Sequence, residues 1–116
     1  MISETAFIEA ADATLGRIGD ALDGALDASD ADVDWSCNDG ILEIECEGGG
    51  KIIVNRHVPN RELWVAARSG GFHFKAVDGV WRDSRSGEDL PVTLARVLRE
   101  QCGLDVQLAG LTAPGK

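Results

Sequence analysis

Between Glu4 and Asp34 the chain carries Glu4, Glu9, Asp12, Asp20, Asp23, Asp27, Asp30, Asp32 and Asp34, with Arg17 as the single base among them. Carboxylates in this density offer hard oxygen ligands to cations and a complementary field to a basic protein, and they repel nucleic acid and anionic membranes. An oxygen-only set admits calcium, magnesium, manganese and both iron oxidation states, with little power to choose among them. No EF-hand spacing is present, and neither His57 nor His73 has a Cys or a carboxylate at a helical ligand spacing. Both histidines read as surface residues of strands.

The acids are placed where they oppose local structure. Like charges three or four apart on a helix cost roughly 0.2–0.5 kcal/mol per pair. Asp20, Asp23 and Asp27 also fall in the last turns of a predicted helix, where the dipole disfavours anions by roughly 0.3–1 kcal/mol each. The residues alone leave two readings open: a solvated face that keeps the chain in solution, or a surface that binds cations, a basic protein, or both.

Other candidates for chemistry fall away. The run Gly48 to Lys51, GGGK, has the composition of a phosphate loop, but it joins two strands and no helix N-terminus follows to hold an anion. Ser84, Ser86 and the two histidines suggest no nucleophile-base pair, and GxSxG is absent. Trp64 remains. Leu63 and Val65 flank it on a strand, so its indole stands on the solvent face, either as a rim residue beneath the loop at Pro59 or as an anchor for a partner.

The elements that must position these residues follow from periodicity. Ile8, Ala11, Leu15, Ile18, Leu22 and Leu26 step by three or four, which predicts a helix from about Glu4 to Leu26 with Ser3 as its cap. At 100° per residue its acids from Glu9 to Asp27 share an arc of about 80° beside the apolar stripe, and so form a ridge. After the turn at Ser29 to Asp32, Val33, Trp35 and Cys37 alternate with Asp34 and Ser36 as a first strand. In the stretch from Ile41 to Ala67, Leu42, Ile44 and Cys46 alternate with Glu43, Glu45 and Glu47, and a glycine hairpin and a proline loop separate three strands. Phe72 and Phe74 mark a fifth strand, Trp81 a sixth, and Leu90, Leu94, Val97 and Leu98 a second helix with Asp89 as N-cap and Gly103 as its end. Helix, about six strands, helix is the order of an α+β two-layer sandwich, with both terminal helices packed on one face of an antiparallel sheet.

At 116 residues the chain predicts one domain over residues 1–108, with 109–116 expected to be a mobile tail. No apolar run is long enough to cross a bilayer. The first ten residues hold no Lys or Arg, so no targeting segment is expected and cytoplasmic residence is the default. Three cysteines, 37, 46 and 102, with no CxxC pair argue against a disulfide framework and against zinc, and they read as small buried hydrophobes.

Taken together, the acidic segment DALDGALDASDADVD, the stretch DGILEIECEGGGKIIVNRHVPNRELWVAA, then SGGFHF and WRDSRSGEDL resemble the frataxin family in its bacterial, CyaY-type form, from about Phe7 to Leu108. The most specific part is Ile-Val-Asn-Arg followed, after the proline loop, by Leu-Trp-Val-Ala. The resemblance implies a frataxin-like fold and a non-enzymatic role in iron–sulfur cluster assembly. It implies weak surface binding of ferrous and ferric iron by Asp20, Asp23, Asp27, Asp30, Asp32 and Asp34. It also implies contact with the cysteine desulfurase and the scaffold machinery through Asp20, Asp23, Asn55, Arg56 and Trp64, as a regulator with iron delivery also proposed, and a monomer when metal-free. Gly19, Gly24 and Ser36 stand where family members often carry acids, and His57 and Glu62 replace usual glutamines. Two rival readings are a small acidic dimeric chaperone of the secretion type and an iron storage or ferroxidase protein. The second lacks the Glu-x-x-His pairs that a di-iron centre builds between helices.

Overall fold

The computed structural model describes residues 2–48, 50–108 and 110–113. The first helix, α1 (Glu4–Asp27), starts where predicted: the Ser3 hydroxyl accepts the Ala6 amide at 3.1 Å. Its stripe buries Phe7, Ala11, Leu15, Ile18 and Leu22, whereas Ile8 and Leu26 lie at the margin of the stripe, half-buried.

Six strands follow in a meander: β1 (Val33–Asn38), β2 (Ile41–Cys46), β3 (Gly50–His57), β4 (Glu62–Ala67), β5 (Gly70–Val77) and β6 (Val80–Asp83), each antiparallel to the next and neighbouring in chain order. The short links explain this order. Asp39 and Gly40 take φ of 53° and 75°, and Asp78 and Gly79 take 49° and 84°, the paired positive angles of hairpin turns whose twist matches the strands they join. Strand alternation sends Leu42, Ile44, Ile52, Val54, Leu63, Val65 and Phe74 to the helical side, where all are buried. Trp81 closes the core beneath α1: it is fully buried, donates its indole N–H to Thr14 Oγ1 at 3.0 Å, and meets Phe7 edge-on at 6.1 Å between ring centres.

The second helix, α2 (Leu90–Cys102), is set by the loop before it more than by its cap, since the Asp89 side chain makes no capping bond. Asp83 organises that loop by accepting from the Ser86 hydroxyl at 2.8 Å and the Arg85 amide at 3.3 Å. Glu88 then accepts from Thr93 Oγ1 at 2.5 Å and Arg96 Nη1 at 2.6 Å, which fastens the first turns of the helix to the loop. Gly103, at φ 65°, ends it.

Of the stretch expected to be a mobile tail, residues 109 and 114–116 lie outside the described residues; Leu111 is buried in the core with Leu104, Val106 and Leu108, and the Ala113 amide donates to Gly79 O at 2.9 Å. The reading of the cysteines is corrected: Cys46 and Cys102 form a disulfide across 56 residues of chain, their Cα atoms 5.0 Å apart, while Cys37 is exposed on the edge strand. Pairing at that separation is a product of the fold and has no local signature.

Candidate functional site

Two of the ridge carboxylates are already engaged. Asp12 is paired with Arg56 Nη1, and Asp23 Oδ1 accepts the indole N–H of Trp35 at 2.9 Å. Trp35 reaches it by lying across α1 at Gly19: a Cβ on Gly19 would stand 2.6 Å from Trp35 Cη2 and 2.9 Å from Cζ3. The missing acid at position 19 therefore has a steric cause, because the ring occupies the space a side chain would need. At Gly24 a Cβ would meet nothing within 4 Å, and no packing reason for a glycine is evident there.

The remaining acids run down the end of α1, through residues 28–32, and onto β1, the edge strand beside it. Among the described residues none of Asp20, Asp27, Asp30, Asp32 and Asp34 forms an ion pair. The register adds acids from β2: Asp34 lies opposite Glu45, and the Glu47 amide donates to Asp32 O at 3.1 Å, which continues the pairing past the end of the strand. Hydrogen bonding to the Asp32 carboxylate, together with its charge, raises the Glu47 pKa above the ordinary value. Like charges facing each other across a ladder are unfavourable. Lys51 offsets part of the repulsion, its Nζ 3.3 Å from Glu43 and 4.0 Å from Glu45. No group of three or more His, Cys, Asp or Glu among the described residues converges as a metal cage. Among the described residues these carboxylates do not form an enclosed metal site.

The second part of the site is the open sheet face. Register aligns Asn38, Ile41, Asn55, Trp64 and His73 in one row across β1 to β5. Trp64 is neither tucked under the Pro59 loop nor free-standing. It is sandwiched between two imidazoles: His57 stacks on it at 3.7 Å between ring centres and 9° between planes, His73 at 4.3 Å and 7°. Its Nε1 donates to Glu62 Oε1 at 2.8 Å. The Glu62 side chain is 7% exposed, with Lys75 Nζ at 3.8 Å and His73 Nδ1 at 3.9 Å. Stack and hydrogen bond together hold the indole in one orientation, so the face is preformed.

Arg56, the neighbour of Asn55, does not share this face. Alternation along β3 turns Asn55 and His57 outward and Arg56 toward α1, where its side chain lies against Gly40 and ends on Asp12. Sequence reasoning in turn missed His73, which meets Trp64 only through the β4–β5 register, and Glu62, whose role was visible in principle because residues two apart on a strand share a face.

The family model for the frataxin-like domain matches residues 1–104. The iron-sulfur cluster assembly protein CyaY of Ralstonia nicotianae is 47% identical over 107 residues, covering 92% of this chain and 95% of its own. That of Cupriavidus pinatubonensis is 43% identical over 107 residues, with 92% and 96% covered. Among solved structures, the frataxin from Psychromonas ingrahamii superposes with a TM-score of 0.84 at 29% identity, covering 93% of this chain and 99% of that one. The ferrous complex of the trimeric frataxin from the yeast Saccharomyces cerevisiae gives 0.73 at 25%, covering 81% and 86%.

Proposed function

The chain belongs to the frataxin family in its bacterial CyaY form, and from that premise we propose that it serves iron–sulfur cluster assembly without being an enzyme. It receives iron on the acidic edge and docks on the cysteine desulfurase and the scaffold machinery through that edge and the Trp64 face. Relatives at 43–47% identity carry the assembly role in their names, and a yeast relative was solved with ferrous.

The observation that carries the reading is the run of carboxylates at Asp20, Asp27, Asp30, Asp32 and Asp34, which form no ion pair among the described residues and whose mutual repulsion a cation or a basic surface relieves. Weak, exchangeable binding follows from oxygen ligands open to water, and such binding suits an ion that must be passed on. Charge complementarity with a basic partner speeds encounter and makes it sensitive to salt. Asn55 and Trp64, beside His57 and His73, supply the flat desolvated contact that the charges alone lack.

An anaerobic amide NMR titration with ferrous iron, followed by one with purified desulfurase, tests this. Iron is expected to move resonances between Asp20 and Asp34, and the desulfurase to move the same set together with Asn55 and Trp64. Iron that leaves the acidic edge unmoved would remove the carrier role and leave a protein-binding regulator. A desulfurase that moves neither set would remove the docking role.

A further inference from the structure

The disulfide joins the last residue of β2, Cys46, to the last residue of α2, Cys102. A Cα separation of 5.0 Å lies inside the span that a disulfide bridges without backbone movement. The neighbouring residue brings this end of α2 to the sheet without help from sulfur: Gln101 Nε2 donates to Lys51 O at 3.0 Å, and its Oε1 accepts the Arg68 amide at 2.9 Å. The two thiols therefore stay side by side when the bond is open. Burial is unequal, with Cys46 buried under the sheet and Cys102 half-buried at the helix end, so an incoming thiolate reaches the Cys102 sulfur first.

We propose that Cys46 and Cys102 form a reversible redox latch that ties the C-terminal end of α2 to the end of β2. To open it, one thiolate of a dithiol reductant attacks Cys102 Sγ and breaks the S–S bond, and Cys46 leaves as a thiolate that takes a proton from water. The reductant's second thiol, as its thiolate, then closes on the mixed disulfide and frees Cys102 as a thiolate, which is protonated in turn. Two electrons pass to the protein, and the reductant departs as a cyclic disulfide. A disulfide oxidant drives the reverse. The closed latch removes chain entropy from the unfolded state across a separation of 56 residues, so the oxidised protein is the harder to unfold.

The full chain, equilibrated in dithiothreitol buffers of graded oxidised-to-reduced ratio, is quenched with a maleimide in denaturant so that the buried Cys46 is reached, and weighed by mass spectrometry, while unquenched samples from the same buffers are melted in parallel. The oxidised protein should take one label, at Cys37, and the reduced protein three, with a melting temperature lower on reduction by on the order of 10 °C. Cys37→Ser should keep that difference and Cys102→Ser should abolish it. Three labels in the oxidising buffer, a bridge that includes Cys37, or equal melting temperatures in the two states would overturn the latch. Should Cys102→Ser not fold, the wild-type label count and melting shift decide alone.

Discussion

The indole of Trp35 lies on the backbone of Gly19, so close that a methyl group there would stand 2.6 Å from Cη2. The same ring gives its N–H to Asp23. One contact thus fixes the crossing of α1 over β1 and engages one acid of the ridge.

Gly19→Ala must push that ring aside. The gain in helix propensity, about 1 kcal/mol, is smaller than the usual penalty for overpacking, about 1–3 kcal/mol, so a net loss of stability is expected. Urea unfolding checks it. In a Trp35→Leu background the penalty should shrink or reverse sign, because the clash is gone, whereas an equal loss in both backgrounds would place the strain elsewhere.

Arg56 and Trp64 should separate cleanly. Trp64→Ala is expected to weaken desulfurase binding by at least tenfold, as loss of a central aromatic anchor does, with a modest effect on stability. Arg56→Gln breaks the pair with Asp12 and should cost stability, by about 1 kcal/mol or less for this partly exposed pair, while leaving affinity within twofold. Calorimetric titration beside thermal melts measures both. A large affinity loss on Arg56→Gln would return that residue to the docking face.

Two carboxylates tie α2 to its loop, and their titration sets a pH limit. Burial alone would raise Asp83, but the Ser86 hydroxyl and the amides of Arg85 and Ser86 hold it below the usual range, while Thr93 and Arg96 lower Glu88. A folded-state pKa below the unfolded one contributes stability that is complete above the unfolded value, about 4, and is lost as pH falls through the lower folded value. Between pH 7 and 5 these two groups should give no slope, and acid loss should begin below about pH 4. Asp83→Asn with Glu88→Gln should lower stability at pH 7 and flatten the acid limb of a denaturant series.

Leu111 should behave as a core residue. Leu111→Ala is expected to cost about 2–4 kcal/mol, near the lower part of the range for buried leucines because the site is at the margin of the core. Chemical denaturation of this variant against wild type measures it, and a change under 0.5 kcal/mol would mean the segment contributes no packing.

Much of the frame was legible in the residues because it rests on short-range rules. Leu42, Ile44 and Cys46 against Glu43, Glu45 and Glu47 set the two faces of β2, and Ser3 and Gly103 mark helix ends through local hydrogen bonding and backbone freedom. What stayed hidden depends on partners distant in sequence. His73 joins Trp64 only once the β4–β5 register is set, and Cys46 meets Cys102 only once α2 has docked. The direction of Arg56 rests on a nearer rule: adjacent strand residues point to opposite faces, so Arg56 leaves the face that carries Asn55 and His57 and pairs with Asp12.

The meander order also has a kinetic meaning. Each strand finds its partner a few residues away, so the sheet can grow hairpin by hairpin with little loop-closure cost. The first helix is in a different position. During synthesis α1 leaves the ribosome before the six strands that follow it, with Phe7, Leu15, Ile18 and Leu22 uncovered, and it must wait for the sheet that will bury them. The carboxylates beside that stripe favour keeping the waiting segment in solution.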